Sequence, residues 1–357
     1  ENSKFATLCE EMNIKFIGPS GEVMDKMGDK INARAEMIKA NVPVIPGSDG
    51  EVFTAEEALE VANRLCYPVM LKASAGGGGK GIRKVNTEEE LAPAFESASQ
   101  EAKAAFGNGA MYIEKVIYPA RHIEVQILGD SYGNIVHLGE RDCSLQRNNQ
   151  KVLEESPSVA IGKTLRHEIG SAAVRAAKAV NYENAGTIEF LLDEKTGQFY
   201  FMEMNTRVQV EHPVTEFVSG VDIVKEQIRI AAGEKLSVTQ DDIEIKGHAI
   251  ECRITAEDPV KFIPSPGKIT KYIIPGGRNV RMDSHAYQGY SVPPHYDSMI
   301  GKLIVWGETR ERAIKKMKQA LSELQIEGIK TVRDFHLNMM DNKDFIENHF
   351  DTNYLSR

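Results

Sequence analysis

Apolar and polar positions recur along this chain with two different periods, and the change of period marks the elements. After Gly18-Pro19, Val23, Met24, Met27, Ile31 and Ile38 share one face of a 3.6-residue repeat, which predicts a single helix over 20–40. Helices are also predicted over 54–65, 163–180, 220–232 and 309–325, and a Thr87/Glu90 capping box opens one that runs to about 106. Extended segments are predicted at 67–73, 82–85 and 111–117. Ile123, Val125 and Ile127 then alternate with Glu124 and Gln126, the period of a strand, and 135–139 returns as its hairpin partner after a turn at 130–133. A second hairpin joins 187–192 to 198–204 around Lys195-Thr196-Gly197, and 248–256, 268–274 and 299–306 read as further strands. The class is α+β with antiparallel hairpins in the centre, not the alternating pattern of a parallel doubly wound sheet. The segment 41–50 carries two prolines and two glycines and is a candidate domain boundary.

Composition narrows the function classes. At 357 residues the chain has room for two or three domains and a core that needs no disulfides. Its 43 basic and 52 acidic residues give a net charge of −9, and an acidic, well-mixed surface argues against nucleic acid as a partner. No apolar run approaches the ~18 residues of a membrane helix, and no charged-then-apolar leader opens the sequence. Cys9, Cys66, Cys143 and Cys252 are scattered without a Cys-x-x-Cys pair, which points to reduced, mostly buried thiols and a cytoplasmic protein. The chain begins at Glu1 without Met, and the stretch Glu1-Asn2-Ser3-Lys4-Phe5 has no evident helix-start signal, so a fragment is expected.

Three stretches carry candidate chemistry. The run Ser74-Ala75-Gly76-Gly77-Gly78-Gly79-Lys80-Gly81 lies between two strands, so it is neither a Walker loop nor a dinucleotide fingerprint. It is either a phosphate cradle of backbone amides or a plain hairpin tip. Lys72, two residues before it, is either an edge-strand lysine or a cation for the same phosphate, and Lys30 sits at the Gly28-Asp29 interruption of its helix. Glu189 faces Glu203 and Asn205 across a hairpin, an oxygen-rich set suited to Mg²⁺. Arg207, Gln209 and Glu211 continue the same alternation and read as the same strand. The charged run from Glu140 to Arg147, followed by Lys151, is a surface loop or an anion-handling wall. His122 and His212 are isolated and read as structural histidines unless a partner is found.

Taken together, Lys72 with the glycine loop, Glu114-Lys115, Arg121-His122-Ile123-Glu124-Val125-Gln126, Glu140-Arg141-Asp142-Cys143-Ser144, Gln146-Arg147 and the stretch from Glu203 to Glu216 resemble the ATP-grasp biotin carboxylases. The likeness continues through 248–259 and 294–303 and so covers essentially the whole chain. Met204-Asn205-Thr206 and His212-Pro213 resemble the stand-alone subunit of bacterial acetyl-CoA carboxylase. The resemblance implies an ATP-grasp fold with a truncated N-terminal α/β domain: 1–43 is what remains of that domain, 44–116 is a small lid, and 117–357 is the larger C-terminal part. About 80–90 residues of a first domain of ~100 or more would precede Glu1.

The activity implied is MgATP-dependent activation of bicarbonate through carboxyphosphate, then carboxylation of N1′ of biotin on a biotin carboxyl carrier protein. The resemblance also implies carboxyltransferase subunits as partners, a homodimer with Arg281 at its interface, and two Mg²⁺ or Mn²⁺ ions. It assigns ATP contacts to Lys30, Lys72, Gly78, Gly79, His122, Gln146, Asn149 and Leu191, with Glu114, Lys115, Val116 and Ile117 as the adenine hinge. Glu189, Glu203 and Asn205 become metal ligands, the first two also counted among the ATP contacts. Lys151, Arg207, Gln209, Val210 and Arg253 become the bicarbonate and biotin pocket, with Glu211 as base and Arg253 as the cation beside the biotin enolate. Asn149 departs from the family pattern, which usually has His there, and the tail 351–355 reads as shortened.

Overall fold

The structure, a computed structural model, describes residues 1–74 and 81–356. The Gly78-Gly79 pair therefore lies outside the described residues. The N-terminal residues do form a helix. Asn2 caps α1 (Ser3–Glu11) by accepting from the Phe5 amide at 2.9 Å, a start signal that the flat composition of the first five residues concealed. The helix predicted over 20–40 is two helices, α2 (Gly21–Gly28) and α3 (Lys30–Lys39). Asp29 breaks it by capping α3, its Oδ1 accepting from the amides of Ile31 at 3.0 Å and Asn32 at 2.8 Å. Lys30 thereby begins a helix instead of sitting in the middle of one.

A small layered unit follows. Helices α4 (Ala55–Leu65) and α5 (Leu91–Phe106) pack on an antiparallel sheet of β1 (Val69–Ala73), β2 (Ile82–Val85) and β3 (Met111–Lys115), ordered β2-β1-β3. Val69, Leu71, Ile113, Ala58, Phe95 and Ala98 build its separate core. The Thr87 capping box does not form. Thr87 makes no cap bond, and Glu90 instead accepts from the Asn86 amide at 2.8 Å.

The rest is organised on one eight-stranded antiparallel sheet. Its first strands are β4 (Ala120–Gly129), β5 (Ile135–Arg147), β6 (Gln150–Ser156), β7 (Asn184–Asp193), β8 (Phe199–Asn205) and β9 (His248–Thr255). Two short ladders lie outside it, β10 (Gly267–Lys268) with β13 (Ser291–Val292) and β11 (Lys271–Ile273) with β15 (Gln325–Glu327), so 268–274 is not one strand. With β12 (Val280–Ser284) and β14 (Met299–Gly307) the order becomes β12-β14-β9-β6-β5-β4-β7-β8. Helices α6 (Lys163–Ala179) and α9 (Arg310–Glu323) cover one face, where Ile123, Val125, Ile127, Ile250 and Leu303 form the apolar cores. Helix α7 (His212–Ser219) lies on the other face, over β5, β6, β9 and β14, and α8 (Ile223–Ala231) packs on β7. Among the described residues no helix is long and apolar enough to cross a membrane, and Cys9, Cys143 and Cys252 are buried while Cys66 is exposed.

Two corrections bear on function. The segment Glu140–Arg147 is not a surface loop: β5 runs on through it, and most of it is buried. Gly139, which reads as a terminator, adopts φ +84° beside a bulge in the β4–β5 ladder and lets the strand continue. Strand β8 stops at Asn205, and Arg207, Gln209 and Glu211 lie in the connection to α7, a helix that the periodicity did not announce.

The sheet is tied to α9 by a buried ion cluster. Glu155 accepts from His248 Nε2 at 2.6 Å and from Arg310 Nε at 2.7 Å, and Arg310 also donates to the carbonyls of Phe345 and Ile346, each at 2.8 Å. Burial works to raise the Glu155 carboxyl, but the His248 bond and the Arg310 charge outweigh it and hold it at about 2. Glu155→Gln is expected to cost about 3 kcal/mol at neutral pH, because the half-buried Arg310 guanidinium and buried His248 lose their counter-charge and acceptor. A folded value below the ordinary 4.5 means that this stabilisation is present above pH 4.5 and is lost as the pH falls towards about 2. Urea midpoints of wild type and variant should therefore converge over that window, and a gap that stays constant would refute the assignment.

Candidate active site

The strand register builds the site. Glu124 on β4 stands directly opposite Glu189 on β7, and Glu189 stands opposite Glu203 on β8, so three carboxylates cross three strands in a row. Like charges directly opposed repel, so this row requires cations. Neighbouring strands supply them. Arg141 on β5, fully buried, donates from Nε to Glu124 at 2.5 Å. Its other nitrogens reach Gln126 (2.8 Å), Thr215 of α7 (3.0 Å), Thr187 (3.1 Å) and Gln209 (2.9 Å). Lys151 on β6 donates to three carboxylates: to Glu124 in a short bond, to Glu189 Oε1 at 2.8 Å and to Glu211 Oε1 at 2.7 Å.

Glu189 is the hub. Its Oε1 also accepts from Asn205 Nδ2 and Gln209 Nε2, each at 2.9 Å. His122 Nε2 lies 2.9 Å from its Oε2 but off the hydrogen-bond line, so that contact is an attraction of charges. The other ring nitrogen of His122 lies 2.8 Å from the Gln146 side-chain amide, and Gln146 Nε2 donates to the Cys143 carbonyl. Burial works to lower His122, yet the Glu189 charge prevails and raises it to about 9. Glu189 is held at about 2 by His122 and Lys151 despite burial, and Glu124 well below the carboxylate range by Lys151 and Arg141. Glu203 is accessible to water, but the surrounding protein and the Glu189 charge push it up, with Lys30 pulling the other way.

The base candidate closes the cluster. Glu211, buried at the start of α7, binds Lys151 through Oε1 and Arg253 Nη2 through Oε2 at 3.0 Å. Arg253 Nε donates to Glu154 at 2.5 Å, and Lys302 Nζ donates to the carbonyl of Val210. Two groups of possible metal ligands lie within 4.8 Å among the described residues: His122, Glu124, Glu189, and Glu124, Cys143, Glu211. The second is a poor cation set, because burial keeps the Cys143 thiol protonated and Lys151 already binds both carboxylates. The opposed, repelling pair Glu189 and Glu203, all oxygen and open on one side, fits a hard divalent cation better.

Other expected residues fall around a cleft. Lys30, Tyr112, Glu114, Phe201 and Met202 line a cavity of about 160 Å³ between α3, β3 and β8. Lys72 Nζ binds Glu114 at 2.5 Å, and burial together with the Lys72 charge lowers Lys30. Leu191 sits opposite His122 across the β4–β7 ladder. Val116 donates its amide to the Pro68 carbonyl at 3.2 Å, just beyond β3, and Ile117 follows it, half-buried. Several do not point into the cluster. Lys115 Nζ is bound to the Cys66 carbonyl at 2.7 Å, and Asn149 (φ 62°) is exposed in the β5–β6 turn. Arg207 is engaged by Glu1 at 2.8 Å and by Asn205 at 3.1 Å, and Arg281 by Glu216 and Asp283 at 2.6 and 2.8 Å. His122 is no isolated histidine, since it belongs to the cluster.

The sequence reading missed the role of Glu124, Arg141, Glu154, Thr187 and Thr215. The available signal was a polar residue, Glu124 and Gln126, at every second position of an otherwise apolar strand at 123–127, which reads as a wet face until α7 is known to be there.

Comparisons with known proteins identify the family. Residues 29–239 match the carbamoyl-phosphate synthase L chain ATP-binding domain, and 251–357 match the biotin carboxylase C-terminal domain. Biotin carboxylase 1 of Bacillus subtilis is 56% identical over 99% of this chain and 79% of its own. A crystal structure of Campylobacter jejuni biotin carboxylase in a β,γ-ATP complex superposes with TM-score 0.96 at 59% identity, covering 100% of this chain and 79% of that one. The biotin carboxylase domain dimer of Hydrogenobacter thermophilus 2-oxoglutarate carboxylase, with MgADP, ADP and bicarbonate, gives 0.94 at 52%, covering 99% and 78%. The eight-stranded antiparallel sheet with its carboxylate row is thus an ATP-grasp fold, and the chain belongs to the biotin carboxylase family.

Proposed function

We propose that this chain is the biotin carboxylase of an acetyl-CoA carboxylase. It activates bicarbonate with MgATP as carboxyphosphate and carboxylates N1′ of biotin on a biotin carboxyl carrier protein, the first half-reaction of malonyl-CoA synthesis. The observation that carries this reading is Glu211 held between two cations, Lys151 and Arg253, beside the carboxylate row. A base within hydrogen-bond reach of an anion-binding cation pair is what deprotonation of bicarbonate needs. Arg207, on the same connection, is the further anion contact, and Gln209 and Val210 complete the pocket. Arg253 is the cation for the biotin enolate once carboxyphosphate has given CO₂ and phosphate.

Glu189, Glu203 and Asn205 would hold Mg²⁺ or Mn²⁺, which when bound neutralises charge on the phosphates. Lys30, Lys72, His122, Gln146, Leu191 and the hinge from Glu114 to Ile117 form the nucleotide side, with Asn149 at its edge. Residues 44–116 act as the lid that excludes water from carboxyphosphate, 117–357 carry the metals and the acceptor site, and 1–43 belong to the preceding domain. The protein works in the cytoplasm as a homodimer with Arg281 near its interface, and it meets the carrier protein and carboxyltransferase subunits there. Met204-Asn205-Thr206 and His212-Pro213 support the acetyl-CoA carboxylase assignment.

Bicarbonate-dependent ATP hydrolysis stimulated by free biotin is the expected activity, and its absence would overturn the reading. Glu211→Gln should lower that rate by about 10²–10⁴-fold while nucleotide affinity by titration calorimetry stays unchanged. Arg207→Ala should lower biotin carboxylation by about 100-fold and ATP binding hardly at all. Equal losses in both measurements would remove Arg207 from the anion site.

A further inference from the structure

Beneath α7, on the sheet face opposite the apolar cores, lie two acids that the mechanism above leaves unused. Glu154 on β6 and Glu251 on β9 are directly opposed across the ladder, and both are fully buried. Among the described residues both oxygens of Glu251 and Oε2 of Glu154 have no hydrogen-bond partner, while Glu154 Oε1 accepts from Arg253 Nε. Val214, Val218, Ala249 and Ile304 make the surroundings apolar, and Ile304 is the β14 neighbour of Glu251. Two ionised carboxylates cannot share such a chamber at ladder spacing, whereas one proton between them supplies the missing donor.

We infer that Glu154 and Glu251 form a proton-sharing positioning dyad: neutral Glu251 donates to Glu154, whose carboxylate fixes Arg253 against Glu211. The inference rests on the reading of Arg253 and Glu211 given above. Geometry supports it, because Nε of Arg253 goes to Glu154 and Nη2 to Glu211. Nη1 then makes no hydrogen bond among the described residues, and it is the nitrogen left for a substrate anion. The charged groups around the dyad are Arg253 on β9, Lys302 on β14, Lys151 on β6 and Glu211, with His212 and Glu216 carried by α7. Against them, burial and the Glu154 charge push Glu251 well above the carboxylate range, and burial brings Glu154 to about 7 despite Arg253.

The test is infrared spectroscopy of the whole protein in D₂O at about pH 8, where ordinary carboxyls are ionised. The expected result is a protonated-carboxyl C=O band that disappears in Glu251→Gln. In the same variant the amide keeps the hydrogen bond, so kcat for biotin carboxylation should fall by no more than roughly threefold. Glu154→Gln should lower kcat by about 10- to 100-fold through a misplaced guanidinium and leave the KM for ATP within roughly twofold. Absence of the band, or equal losses in the two variants, overturns the dyad. Because the band needs no turnover, a protein that shows it but lacks biotin-dependent activity refutes the functional reading and leaves the dyad standing.

Discussion

The architecture depends on one electrostatic constraint: a row of carboxylates across β4, β7 and β8 that the sheet can tolerate only while Lys151 and Arg141 are in place. Removing one partner from a buried ion pair typically costs about 3–5 kcal/mol, because the remaining charge is left without water or counter-charge. Arg141 is suited to this position as Lys would not be. Its guanidinium makes five separate hydrogen bonds, to Glu124, Gln126, Thr187, Gln209 and Thr215. These partners come from β4, β7, α7 and the connection before α7, so a single planar fork fixes four pieces of chain relative to one another. Lys151 does a different task with a point charge, joining Glu124, Glu189 and the base candidate Glu211.

Stability and chemistry are divided between the two faces of the same strands. Ile123, Val125 and Ile127 pack under α6, while Glu124 and Gln126, one residue away, belong to the charged cluster. The same holds on β9, where Ile250, Cys252 and Ile254 enter the core beneath α9 and Glu251 and Arg253 point to the other side. A one-residue slip in either strand would exchange the two sets, so the register is fixed by both faces together.

Much of this was legible beforehand, and the failures share a physical cause. The hairpins at 187–192 and 198–204, the pairing of Glu189 with Glu203, and the helix at 309–325 follow from local periodicity and turn residues alone. The split at Asp29 was visible as an interruption, but a cap and a mid-helix aspartate look alike until the side chain is seen to accept from two amides. For the charged residues of β5 the choice between a surface loop and an anion-handling wall stays open in the sequence, because a charge is costly to bury alone and the sequence does not display the partners that make burial possible. Those partners are distant in the chain: Glu124 lies 17 positions from Arg141, Gln209 lies 68 and Thr215 lies 74. The alternation beyond Asn205 misled for the opposite reason. Arg207, Gln209 and Glu211 have strand-like spacing, but they are drawn out of the sheet by contacts to Glu1, Arg141 and Lys151.

The row of carboxylates also has a direction. Glu124 is fully buried, Glu189 nearly so, and Glu203 is open to water. Charge compensation follows the same order. Glu124 receives Arg141 and Lys151 in hydrogen bonds with His122 3.6 Å away, and Glu189 receives Lys151 and His122. Glu203 forms no salt bridge among the described residues, and the charges of Lys30, His122 and Lys151 oppose the repulsion of Glu189 at longer range. A permanent side-chain cation is the economical answer where water is excluded, since an ion from solution would have to shed its whole hydration shell to reach Glu124. At the outer end the opposite holds: a divalent cation can bind two oxygens there and retain water on its remaining positions, as Mg²⁺ prefers. The gradient of burial therefore sorts the acids into structural and exchangeable parts. In the reaction proposed above the cation would sit at Glu189 and Glu203, at the water-exposed end of the row and within the influence of Lys30, which lines the cleft together with Glu114.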